Sequence, residues 1–117
     1  MMPNVDENLY IQEVEELTNF MRNDDEWSDL RDIISRQGFI VEEVFLVSFY
    51  EDEKEYGVIV TKDKKAFEYT RSTASDMNRE KHFKIIEISK SKKDIAKYPQ
   101  IQVAYKMIDR MSQGSAS

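Results

Sequence analysis

The stretch from Phe39 to Tyr50 constrains the fold of this chain more than any other segment. Nine of its twelve residues are hydrophobic, and most of these are β-branched or aromatic. Such side chains favour β-structure, and this density is typical of a strand that is buried on both faces. The segment therefore predicts the central strand of a sheet that has helices packed on it.

Three shorter strands are expected after it, at Tyr56–Thr61, Ala66–Arg71 and His82–Ser89. The acidic stretch Glu51–Glu55 is expected to form the loop into the second strand. Residues 62–65 are expected to form the turn into the third, either a two-residue turn or a longer one, because Asp63-Lys64 stands where hairpins prefer Asp-Gly. Residues 72–80 lack hydrophobic periodicity, which predicts an exposed, mobile loop before the fourth strand.

Both ends of the chain carry helical patterns with one hydrophobic face. Helices are predicted over Asp6–Arg22, from Asp24 or Asp25 to Gly38, and from Pro99 to Gly114, with residues 114–117 as a frayed tail. The element order is therefore α-α-β-β-β-β-α. It predicts a single α+β domain over residues 1–117, in which a four-stranded antiparallel meander carries two N-terminal helices and one C-terminal helix.

The formal net charge of −6 conceals a strong asymmetry along the chain. Residues 1–55 carry 16 acidic and four basic side chains, a net −12, whereas residues 56–117 carry seven acidic and 13 basic ones, a net +6. One interpretation is that these charges are solvated and that the two halves pair in the folded chain. The other is that one acidic surface stays exposed and attracts a cationic partner.

Two acidic clusters, each with an aromatic residue beside it, are the candidate partner-binding surface. The first lies on the second helix and the other on the loop before the second strand. Trp27 is either a core residue or the centre of an interface, where tryptophan often contributes much of the binding free energy. Tyr50 has the same two interpretations. The candidate residues are Asp24, Asp25, Glu26, Trp27, Asp29, Asp32, Tyr50, Glu51, Asp52, Glu53 and Glu55.

Residue types suited to catalysis or to cofactor binding are scarce. The chain has no cysteine, one histidine and three glycines, so it offers no thiolate metal site, no histidine pair and no glycine-rich phosphate loop. His82 is expected to be a strand-end side chain, and Gly57 to mark a bulge or a close approach in the second strand. We therefore predict a protein that is not an enzyme and has no catalytic residue, cofactor or metal.

The cellular setting is predicted from what the sequence lacks. The start of the chain has no signal-peptide pattern, and no apolar stretch approaches the roughly 18 residues of a membrane span. These observations predict a soluble, cytoplasmic protein without a membrane partner. The overall acidity argues against direct binding of nucleic acid, whose phosphates attract lysine and arginine.

In size, charge and layout the chain resembles bacterial immunity proteins and other nuclease inhibitors. The resemblance implies a non-catalytic domain that docks on a basic protein partner, such as a nuclease toxin, with carboxylates in the place of substrate phosphates. One alternative is a small-molecule-binding or homodimeric regulatory module that uses a sheet face lined by Phe45, Val47, Phe67 and Tyr69. Another is a DNA-mimic protein of phage or plasmid origin, which would share the acidic surface and differ only in its partner.

Overall fold

A computed structural model of the protein describes residues 3–52, 54–72 and 83–116. The helices are α1 (Pro3–Asn23), α2 (Ser28–Arg36), α3 (Lys92–Lys97) and α4 (Pro99–Ala116), and the strands are β1 (Val44–Glu51), β2 (Lys54–Thr61), β3 (Ala66–Ser72) and β4 (Lys84–Glu87). Short 3₁₀ turns at Asp25–Trp27 and Val41–Glu43 precede α2 and β1. Glu53, His82 and most of the predicted loop over 72–80 lie outside the described residues, so the expectations for them stay predictions.

The four strands form one antiparallel sheet in the order β1-β2-β3-β4. This confirms the predicted α+β meander with two N-terminal helices and a C-terminal helical segment. The prediction that the most hydrophobic strand is central was wrong, because β1 lies at the edge of the sheet. Its density of hydrophobic side chains has another cause, which is that helices cover both of its faces and also run along its outer edge.

Helix α1 binds the outer edge of β1 through two polar side chains. The hydroxyl of Thr18 accepts a hydrogen bond from the Leu46 backbone N–H at 3.0 Å and donates one to the Leu46 carbonyl at 3.4 Å. The guanidinium of Arg22 donates to the backbone carbonyls of Val41 and Val44, at 3.3 Å and 2.9 Å. These contacts satisfy backbone groups that an edge strand otherwise leaves unpaired.

The two faces of the sheet bury separate hydrophobic clusters. On one face, β-strand side chains pack with α4 and with Val14 of α1; on the other, they pack with α2 and with Met21 near the end of α1. Phe45 and Val47 belong to the first cluster, whereas Tyr69 and the partly buried Phe67 belong to the second. These four residues therefore do not line one open face, as the hypothesis of a small-molecule-binding or homodimeric module required.

The ends of several elements differ from the predicted bounds for local physical reasons. Strand β1 begins only at Val44, because the preceding residues form a 3₁₀ turn, while β2 starts two residues early, at Lys54. Gly38 ends α2 as expected, with φ of 97°. Helix α4 continues through Gly114 to Ala116, since a helical glycine costs only about 1 kcal/mol and does not by itself end a helix.

The connection between β2 and β3 is the longer of the two predicted turns. It spans residues 62–65, with the Thr61 N–H donating to the Lys65 carbonyl at 2.9 Å and Lys64 in the left-handed region at φ 62°. The turn requires one residue in this conformation, and that position is occupied by a lysine instead of the favoured glycine or asparagine.

Among the described residues, no helix is both long enough and apolar enough to cross a membrane.

Candidate functional site

The fold brings the two predicted acidic clusters to the same place. Trp27, at the end of the 3₁₀ turn before α2, packs on Phe49 of β1 with ring centroids 4.7 Å apart and ring planes tilted by 55°. Beside this aromatic pair is an open cleft of about 300 Å³, which we call the acidic cleft. It is lined by Glu26, Trp27, Asp29, Phe49, Glu51, Glu55 and Arg71.

Strand register explains why the cleft contains residues from three strands. Glu51 of β1 is the partner of Glu55 of β2, and Glu55 is the partner of Arg71 of β3, so the three form one row across the sheet. The neighbouring row contains Phe49 and Tyr69 on the same face. The row of charged residues therefore continues the hydrophobic surface on which Trp27 packs.

The structure corrects the prediction that Glu55 lies on an exposed loop. Glu55 is within β2 and is only 2% exposed. One of its carboxylate oxygens, Oε1, pairs with Nη2 of Arg71 at 3.0 Å, and Oε2 accepts a hydrogen bond from the Tyr69 hydroxyl at 2.7 Å. A buried carboxylate needs such partners, so Glu55 forms the floor of the cleft rather than its rim.

The ring of Tyr69 reaches Glu55 by lying across Gly57. A Cβ atom at position 57 would overlap that ring, so the close approach predicted for Gly57 is made by a side chain on the neighbouring strand. The bulge lies instead on β1, where the register shifts between Leu46 and Ser48. Burial, followed by the nearby Glu55 carboxylate, raises the pKa of Tyr69 well above its usual value.

The acidic residues before and within α2 divide between a capping role and an exposed one. Asp24 accepts a hydrogen bond from the Glu26 N–H at 2.9 Å and so caps the 3₁₀ turn. Glu26 and Asp29 are exposed and line the cleft. Asp25 and Asp32 are also exposed but do not line it.

The hairpin residues are similarly divided by strand alternation. Tyr50 points to the opposite face of the sheet from Phe49, where it is 60% exposed and its ring centroid is 6.2 Å from that of Tyr56. Tyr50 and Trp27 are therefore on different surfaces and cannot anchor the same contact. Asp52 is exposed in the turn, where its N–H donates to the carbonyl of Lys54 at 3.0 Å.

Arg71 was not among the predicted site residues, although it is 8% exposed and forms the floor of the cleft with Glu55. One signal in the sequence could have identified it. Alternation along the third strand predicts that Phe67 and Tyr69 share a face, and the next residue on that face is Arg71. Its pairing with Glu55 could not be predicted, because it depends on where the β1–β2 turn begins.

The described residues contain no group of three or more acidic or histidine side chains that could hold a metal ion. A further open cleft, of about 510 Å³, lies where α3 meets α4, and none of the predicted site residues lines it. The acidic cleft itself combines exposed carboxylates, an aromatic wall and a buried guanidinium. Comparisons of the chain with protein-family models, with curated proteins and with solved structures find no match.

Proposed function

We propose that this protein is a non-catalytic binding domain of the immunity or inhibitor type, which docks through the acidic cleft on a basic protein partner and neutralises it. The observation that carries the proposal is the position of Glu26, Asp29 and Glu51 around the Trp27–Phe49 pair. An aromatic centre with a charged surround is the arrangement of many protein-binding hot spots. Carboxylates of this kind also speed the encounter with a basic partner and penalise acidic ones.

A nuclease toxin is the partner that we favour, because its substrate-binding surface must be basic in order to hold phosphates. Carboxylates on the rim of the cleft would then occupy positions that phosphates take in the substrate. A DNA-mimic protein would use the same surface against a DNA-binding protein, so the identity of the partner separates these two roles. We further propose a cytoplasmic setting, which suits a chain without cysteine.

The proposal is tested by removing two rim charges while leaving the buried pair intact. The double variant Glu26→Gln/Glu51→Gln is compared with Glu15→Gln/Glu16→Gln, which changes the net charge equally at exposed residues of α1 that do not line the cleft. Proteins captured from the source cell are identified, and the purified partner is then titrated by surface plasmon resonance and assayed for nuclease inhibition.

We expect a basic partner whose association rate falls about tenfold in the cleft variant and changes little in the α1 variant. Association of the unmodified protein should also slow as salt rises from about 50 to about 500 mM, because rim charges are screened. Equal binding by the two variants would show that the carboxylates of the acidic cleft are solvent-exposed charges that do not contact the partner. Self-association as the sole interaction, unaffected by salt, would favour the homodimer.

A further inference from the structure

The guanidinium of Arg71 has hydrogen-bond donors that its neighbours leave unused. Its Nη2 pairs with Oε1 of Glu55, but Nε and Nη1 are buried and have no hydrogen-bond partner among the described residues. Glu55 does not bind these two donors: its other oxygen, Oε2, accepts its hydrogen bond from the hydroxyl of Tyr69. Buried donors of a charged group are rarely left in this state, so the floor of the cleft is suited to an acceptor from outside the chain.

The charges around Arg71 define what kind of acceptor fits. Four carboxylates, those of Glu26, Asp29, Glu51 and Glu55, line the cleft together with this one guanidinium. A free anion would therefore meet strong net repulsion, whereas the carbonyl oxygen of a neutral group, with only a partial negative charge, would meet much less. A cationic group on the same molecule would be attracted to the exposed carboxylates of the rim.

The aromatic wall favours arginine as that cationic group. Trp27 and Phe49 form a continuous aromatic surface at the side of the cleft. A guanidinium stacks on aromatic rings and can bind a carboxylate through two parallel hydrogen bonds, which a lysine ammonium cannot do. Its methylene groups would cover the rings while its charged end remained near the rim.

We infer that the acidic cleft binds an arginine residue in a segment of the partner's chain: its main-chain carbonyl accepts a hydrogen bond from Nε of Arg71, and its side chain lies along Trp27 towards Glu26 and Glu51. This inference rests on the proposed function and adds the group that is recognised. It assigns to Arg71 the role of a donor that faces the partner, in addition to its pairing with Glu55.

The test uses small probes and the side-chain NMR signals of the unmodified protein, so it does not require that a variant of Arg71 folds. The probes are N-acetyl-arginine N-methylamide, methylguanidinium, N-acetyl-glycine N-methylamide and acetate. The signals are the Nε–H of Arg71, which reports on the carbonyl contact, and the indole N–H of Trp27, which reports on the aromatic wall.

We expect the blocked arginine to shift both signals and to bind about fivefold or more tightly than methylguanidinium, which lacks the carbonyl. Methylguanidinium should shift the signal of Trp27 alone, and the other two probes should shift neither. Glu51→Gln should weaken binding of the blocked arginine, whereas Glu15→Gln should not. A shift of the Arg71 signal by acetate, or no shift by the blocked arginine, would overturn the inference.

The two proposals fail in different ways. If neutralising Glu26 and Glu51 slows partner binding while the Arg71 signal stays unchanged with the blocked arginine, the docking function stands and the role of Arg71 does not. If the blocked arginine shifts the Arg71 signal but no basic partner binds, the cleft recognises arginine and the inhibitor function is wrong.

Discussion

Tyr69 joins the hydrophobic part of the sheet to its charged end. Its ring stacks on that of Phe83 with centroids 5.4 Å apart, while its hydroxyl reaches past Gly57 to the buried carboxylate of Glu55. The absence of a side chain at position 57 is what allows this path. One glycine therefore determines whether the floor of the acidic cleft can form.

The substitution Gly57→Ala tests this dependence. The added methyl group would overlap the ring of Tyr69, so we expect the free energy of unfolding to fall by about 1–3 kcal/mol, as for other overpacked sites. Urea unfolding followed by fluorescence measures the change.

The control is Tyr69→Phe, which keeps the ring and removes only the hydroxyl. If Gly57→Ala displaces the hydroxyl from Glu55, the double variant should lose less stability than the sum of the single variants, because the hydrogen bond can be lost only once. Additive losses would contradict a shared mechanism and would show that the ring stays in place.

At the scale of elements, the attachment of α1 to β1 determines how the sheet is protected. Thr18 is 5% exposed and bonds both backbone groups of Leu46. Arg22 bonds the carbonyl of Val44 one turn further along the helix, and its guanidinium carbon lies 5.3 Å from the centre of the Phe45 ring. Helix α1 thus occupies the edge of β1 at which another strand could otherwise pair.

Thr18→Val is the matching test, because valine has nearly the same shape but no hydroxyl. It would leave the N–H and the carbonyl of Leu46 buried without these hydrogen bonds, and we expect a loss of about 1–3 kcal/mol in unfolding free energy. Hydrogen exchange at the Leu46 amide should speed up correspondingly. The control Asn19→Ala, at an exposed neighbour on α1, should change neither measurement by a comparable amount.

Element identity and order could be predicted from the sequence because they depend on local patterns. Hydrophobic periodicity predicted α1, and a glycine with positive φ correctly marked the end of α2. The edge position of β1 could not be predicted, since hydrophobic density records burial without showing which element provides it. The two acidic clusters were also recognised, but whether Glu55 was exposed depended on a turn length that composition does not reveal.

At the scale of the whole molecule, the described ion pairs differ in where they lie along the chain and in how deeply they are buried. The surface pairs Lys64–Asp109, Lys65–Asp63 and Lys97–Asp94 all join residues within the basic half. One ion pair between described residues, Glu55–Arg71, joins the two halves and is buried in the floor of the cleft. Exposed ion pairs contribute little to stability. Breaking the buried pair by removing one partner is therefore expected to lower the free energy of unfolding more than breaking a surface pair.

Alkaline pH provides a test of stability at this scale. Burial raises the pKa of Tyr69, and burial together with the hydrogen bond to Glu68 raises that of Tyr98 to about 12. In the folded protein these two tyrosines therefore keep their protons at pH values at which the tyrosines of the unfolded chain, whose pKa is about 10, have lost them. The free energy of unfolding should be insensitive to these groups below about pH 10 and should fall as pH rises further.

Urea unfolding between about pH 8 and 11.5 measures the effect, with Tyr69→Phe as the comparison. The free energy of unfolding should fall with pH less steeply in Tyr69→Phe than in the unmodified protein, by up to about 1.4 kcal/mol per pH unit. Identical slopes in the two proteins would mean that Tyr69 ionises as readily in the folded state as in the unfolded one.

The helix along β1 also affects how copies of this chain can meet at high concentration. Fibril growth requires a strand whose backbone groups are open to an incoming chain, and hydrophobic, β-branched segments are the usual templates. In β1 the carbonyl of Val44 and both backbone groups of Leu46 are already bonded to α1. The segment whose composition most favours amyloid is therefore shielded from templating for as long as α1 stays in place.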